Sequence, residues 1–248
     1  MRYGWIPDLP TRHPFGTPEA ISHLVIPPHS DMRPKCPPVY DQEDRGSCTG
    51  NAIAAIIQME RRRQNLLPDF IPSRLFIYFN ERVMEGTVDS DSGAMLHDGI
   101  RSVAKEGVCP ETEWPYDVNA FANQPPPSCY TDAVKFRALN YWRVPRSLMQ
   151  MRGCLAAGYP FVFGFTVYES FESDAVAQSG VVPMPWPNEE ALGGHACVIV
   201  GHDDPMQRFI ARNSWGTGWG QAGYFTIPYA YVMDQDLASD FWCIKLES

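Results

Sequence analysis

The run AIAAII at 52–57 lies inside a stretch of helix-compatible residues from 48 to about 64. A surface helix carries one apolar stripe, whereas a helix that is apolar on every side has to be buried. The remaining elements must therefore be arranged around this segment. A chain of 248 residues that is 44% apolar and 20% charged has the side chains to do so, as one large domain or two small ones sharing a core.

Further helices read at 73–84, with Ser73 as N-cap, and from about 94 to 106. In the second of these Leu96, Ile100, Val103 and Ala104 fall on one side, and Gly107 is the stop. Residues 108–130 are punctuated and end in NQPPPSC, a linker composition. After that the texture changes. A helix at 147–157 is followed by strand-like runs at 159–168, 196–202, 208–215, 223–229 and 241–246. The pattern predicts an α+β chain with a mainly helical part over 36–130, a mainly antiparallel part over 131–248, and a site in the cleft between them.

Residues 1–35 are a separate case. Nine prolines between Pro7 and Pro38 leave no periodic apolar face. Yet Tyr3, Trp5, Ile6, Leu9 and Phe15 are too apolar for a solvated tail, so the segment is expected to lie against the folded body.

The formal charge of −9 argues against nucleic acid or anionic membranes as partners. The one basic cluster, ERRRQ at 60–64, reads as the solvated end of a helix. No apolar run reaches the roughly eighteen residues of a membrane span. The N-terminus lacks a continuous apolar region, so no signal peptide is expected, and either a cytoplasmic setting or secretion with a leader removed fits. The seven cysteines, Cys36, Cys48, Cys109, Cys129, Cys154, Cys197 and Cys243, show no CxxC spacing, and no metal or cofactor is implied.

One cysteine stands out. Cys48 follows a Gly-Ser turn where the buried helix should begin, and the free N–H groups and partial positive charge of a helix start favour a thiolate. Gln42, six positions earlier, can fold back to donate an oxyanion hydrogen bond beside the Cys48 backbone N–H. Among six histidines, His195 sits at the head of a strand in GGHACVIVGH, with small residues that allow close approach. His13, His23 and His29 lie in the Pro-rich segment, His97 on a helix, and His202 opens the turn HDDP. Asn213 can hold one nitrogen of His195 while the other faces Cys48, and Trp215 can cover that bond from water. Taken singly, Cys48 reads as a small buried apolar residue and His195 as a core histidine. Their order and spacing together set the three apart from those single readings.

DQEDRGSC at 41–48, GGHACVIVGH at 193–202 and NSWGTGWGQAGYF at 213–225 resemble the papain (C1) family of cysteine peptidases, with weaker echoes in SGAM at 92–95 and EGVCPETEWPY at 106–116. The resemblance implies a helical left half and an antiparallel, β-barrel-like right half. It implies Cys48 as nucleophile, His195 as base and acid, Asn213 as orienter, Gln42 as oxyanion donor and Trp215 as shield. Gly93, with Ala94, Met95, Leu96 and Gly194, matches the substrate-binding positions. Gly93 would hold substrate backbone as an antiparallel edge, and Met95 and Leu96 would line an apolar pocket. The implied partners are peptide or protein substrates, the implied state a monomer. The family usually has a cysteine where Arg45 stands and its disulfide partner where Asp91 stands, so that bridge is absent. This pattern is similar to the bacterial and archaeal, xylellain-like branch. Thr49 stands in place of the usual Trp.

The acyl-enzyme route leads to endopeptidase activity. An amidase or acyl transferase using the same triad, and an inactive homologue that binds proteins in its cleft, are the alternatives. For residues 1–30 two placements are open: across the cleft as a blocking segment, or as a strap on the back of the helical half.

Overall fold

The computed structural model describes residues 3–10, 13–16, 24–136 and 139–246. The expectation for the N-terminal segment, His23 included, falls partly on residues outside that set. The buried helix is α1, Cys48–Arg63, and nearly all of it is inaccessible to solvent. It is covered on one side by α2, Arg74–Glu85, and α3, Leu96–Glu106, and on the other by a large sheet. Ser73 caps α2 by accepting from the Phe76 backbone N–H, and Gly86 ends it in the left-handed conformation.

The sheet contains β4 (Leu139–Arg143), β9 (Ala238–Leu246), β5 (Phe161–Tyr168), β6 (Ala191–Asp203), β7 (Arg208–Arg212) and β8 (Tyr224–Pro228), in that spatial order. A short strand β2, His29–Asp31, pairs with the far end of β6. All these pairings are antiparallel. The architecture is the expected α+β one, with one correction: the sheet is open and does not close into a barrel. Its two edges are taken up by other segments. Gly16 N–H donates to Arg143 O at β4, and Val182 N–H donates to Thr226 O at β8.

Other departures have local causes. The helix expected from 94 starts at Leu96, because Ala94–Met95 forms a strand, β3, against β1, Trp5–Ile6. Long-range pairing there outcompetes a first helical turn. The strand expected to begin at 196 begins at Ala191, so His195 lies well inside β6 and is paired with Phe165, not at the strand's head. The linker 123–129 runs into a short helix, Pro127–Ala133, for which Pro127 is suited to the first position. The basic helix end is not simply solvated: Arg61 is buried and donates to Pro68 O, while Arg62 and Arg63 pair with Asp69 and Glu60. Among the described residues no helix is long and apolar enough to cross a membrane, and none of the seven cysteines forms a disulfide.

Candidate active site

Cys48 opens α1 after the turn Gln42–Ser47, and it is fully buried. The backbone N–H groups of Ala196 on β6, of Gly4 in the N-terminal segment and of Thr49 favour its thiolate. Helix start and sheet therefore meet at this atom. Burial pushes the thiol up to about 12, against the pull of those three donors.

The histidine geometry can be read from an obligate donor. Ser214 N–H donates to Asn213 Oδ1 at 2.8 Å, which identifies that atom as oxygen. His195 Nε2 lies 2.9 Å from the same oxygen, so it must carry the hydrogen. In the neutral ring the lone pair is then on Nδ1, which is buried and makes no hydrogen bond among the described residues. Burial holds His195 down to about 4, opposed by the bond to Asn213. Trp215 stacks on the imidazole, with ring centroids 4.8 Å apart at 30°, and is backed by Phe171 and Trp219. Cys197 Sγ, two residues along β6, makes a third, longer contact of 3.7 Å to Asn213 Oδ1.

Gln42 is held at both ends of its amide. Nε2 donates to Arg45 O at 2.7 Å, and Oε1 accepts from Ser214 Oγ at 2.6 Å. Ser214 links the Gln42 loop directly to Asn213, a connection with no sequence signal beyond its adjacency to Asn213.

The positions matched to substrate binding are brought together, but they are occupied. Gly4 O accepts from Ala94 N–H at 2.7 Å, and β1 pairs with β3 in parallel, Trp5 opposite Ala94 and Ile6 opposite Met95. Gly93 has φ +77°, and a Cβ there would come within 2.2 Å of Gly4 O. Trp5 fills a slot between β5 and β6, where a Cβ on Gly164 would lie 1.9 Å from its ring and one on Gly194 2.3 Å from its carbonyl oxygen. Leu96 is completely buried at the start of α3, inside the core that surrounds α1. Tyr3 packs edge-on against His195 and donates to Glu172. Tyr3–Ile6 thus run beside His195 and along Ala94–Met95.

Residues 26–240 match the family model described as papain family cysteine protease. The chain belongs to the papain family. It is accordingly a cysteine-type peptidase. It is similar over 99% of its length to the crystal structure of xylellain, a cysteine protease from Xylella fastidiosa, at 45% identity and a TM-score of 0.92, and covers 96% of that chain. A peptidase C1-like protein of Acanthamoeba polyphaga mimivirus is 43% identical over 213 residues, which are 83% of this chain and 68% of the relative. A cathepsin B-like protein of Giardia intestinalis is 29% identical over 235 residues, 86% of this chain and 72% of the relative.

For a papain-family chain the missing bridge has a visible replacement. Arg45 Nη1 lies 3.8 Å from Asp91 Oδ2. Asp91 Oδ1 accepts from Gly46 N–H at 3.1 Å and from Tyr78 OH at 2.6 Å. These polar contacts tie the loop before α1 to Asp91 and to Tyr78 of α2. Thr49, in place of Trp, donates to the buried Glu81 at 2.5 Å. Among the described residues one potential metal group, Cys109, Glu113 and Cys129, has its donor atoms within 4.8 Å of one another, one ligand short of a closed tetrahedral site.

Proposed function

We propose that this chain is an endopeptidase whose N-terminal residues hold it inactive. Cys48 attacks the scissile carbonyl; its proton passes to His195 and then to the leaving amine; water hydrolyses the thioester, returning the proton to Cys48. Asn213 fixes the ring, with Nε2–H engaged and Nδ1 available as base, and Trp215 excludes water from that bond. Gln42 and the Cys48 backbone N–H receive the oxyanion. An extended substrate occupies the edge at Gly93–Met95.

The observation that carries the blocking role is the direction of the segment that now fills this edge. It runs parallel to Ala94–Met95, whereas the resemblance implies antiparallel pairing for a substrate. A reversed chain offers its carbonyls on the wrong side of the sulfur, and Gly4 O is already taken by Ala94 N–H. The segment also removes water from the pair, and burial favours the neutral thiol and the neutral imidazole, the unreactive combination.

Peptide hydrolysis by the full chain, by Trp5→Ala and by Cys48→Ala tests both parts. Trp5→Ala should raise kcat/KM at least about tenfold by loosening the segment, about 1.4 kcal/mol of barrier. Equal rates would sink the blocking role, and turnover near wild type in Cys48→Ala would sink the nucleophile.

A further inference from the structure

The N-terminal segment is fastened by two carboxyl groups that share one buried place. Asp8 belongs to the segment and Asp240 to β9. Asp240 Oδ2 accepts from Trp5 Nε1 at 3.1 Å and from Asp8 N–H at 2.9 Å. Asp8 Oδ1 accepts from His97 N–H at 2.9 Å, and its Oδ2 accepts from Trp242 Nε1 at 2.8 Å. The segment thus meets the body through four N–H donors and two acidic side chains facing one another.

We propose that Asp8 and Asp240 form a pH-sensitive latch that closes the segment over the active site when the pair carries a proton and loosens it as that proton is lost. The inference rests on the blocking role proposed above.

The surroundings support one negative charge, not two. The charge of Arg143 on β4 acts on both carboxyls and that of Arg146 on Asp240, and among the described residues no ion pair joins either arginine to them. The Arg143 guanidinium is spread over the rings of Phe15 and Trp242, and that of Arg146 is engaged by the carbonyls of Val232, Asp234 and Ala238. From α3, His97 stacks flat on Trp242, and burial holds it down to about 4, so it contributes no charge at neutral pH. His13 lies 5.3 Å from the same indole. A second carboxylate charge in this place is opposed by burial and by its neighbour.

With the segment in place, burial and then the charge of Asp240 push Asp8 up to about 7, and burial raises Asp240 as well. With the segment detached, both groups meet water and return toward the ordinary carboxylate value of about 4. Between about pH 4 and about pH 7 the closed form therefore holds more protons than the open form. Closure weakens as pH rises through that window, by up to about tenfold per pH unit for each extra proton held.

Asp240→Asn is the informative variant. Both donors converge on one oxygen of Asp240, so an amide oxygen can still accept them while the charge is gone. Position 240 has φ +57°, a conformation asparagine tolerates. Peptide hydrolysis is measured between about pH 5 and about pH 7.5, each protein against its own Trp5→Ala counterpart so that the pH dependence of the chemistry cancels. Gly164→Ala, whose Cβ displaces the Trp5 ring, serves as a second opened form if Trp5→Ala does not fold. The activity of the full chain relative to its opened form should rise at least about tenfold across the range, and that of Asp240→Asn should rise by a clearly smaller factor, because burial still raises Asp8 but its charged neighbour is gone. A full chain as active as its opened form at every pH would defeat the blocking role and the latch with it. A full chain inhibited by the same factor throughout, or an Asp240→Asn chain that opens with pH like wild type, would leave blocking intact and overturn the latch.

Discussion

Asn213 Oδ1 collects His195, Ser214 N–H and Cys197, so its amide cannot turn over without losing the backbone donor. That is how one side chain sets the tautomer of the neighbouring imidazole. Gln42 is oriented with the same economy, between Arg45 O and Ser214 Oγ. If its Nε2 serves the oxyanion, Gln42→Ala in the opened Trp5→Ala form should cost about 2.7–4 kcal/mol of transition-state stabilisation, read as a loss of kcat of about 100- to 1000-fold. A loss under about tenfold would remove Gln42 from that role. At this scale the sequence marked Cys48, His195, Asn213 and Gln42 as candidates through a family resemblance, and the fold brings His195 to Asn213 and Gln42 to Ser214. It was silent on Asp240, because nothing local in ASDFW marks a side chain that waits for Trp5 and Asp8 from the other end of the chain.

Elements place these side chains where loops alone would not. α1 presents Cys48 at its first position, and β6 carries His195 and Cys197 on one face by its two-residue alternation. The loop before α1 is steadied by Asp91 through Gly46 N–H, Tyr78 OH and Arg45. Asp91→Ala leaves buried donors without their acceptor and should destabilise the fold by about 1–3 kcal/mol, seen as a lower denaturation midpoint at unchanged m-value. An unchanged midpoint would show that the loop needs no such tie. The helices at 48–64, 73–84 and 147–157 were legible from periodicity and caps. The start of α3 was not, since Ala94 and Met95 are helix-compatible by composition and become a strand only because Trp5–Ile6 arrives beside them.

Across the whole molecule the N-terminal segment spans both halves. It bonds to Ala94 beside α3 and to Asp240 on β9, so loosening it should free both sites together. In Trp5→Ala, amide hydrogen exchange should speed up at Ala94, whose N–H is held by Gly4 O, by at least about tenfold while the centre of α1 stays protected. Unaltered protection at Ala94 would mean that the segment is fastened elsewhere.

Composition and pattern by themselves determined that α1 is buried, that helices precede strands, and that Cys48, His195 and Asn213 form a recognisable set. Those features are written in spacing, in caps and in the identity of reacting atoms, all of which are local. Only the tertiary structure decided that the sheet stays open, that Arg45 lies beside Asp91, and that Trp5–Ile6 pairs in parallel with Ala94–Met95. Each of these depends on two distant segments meeting. Hydrogen-bond direction, burial of charge and strand polarity exist only once they have met.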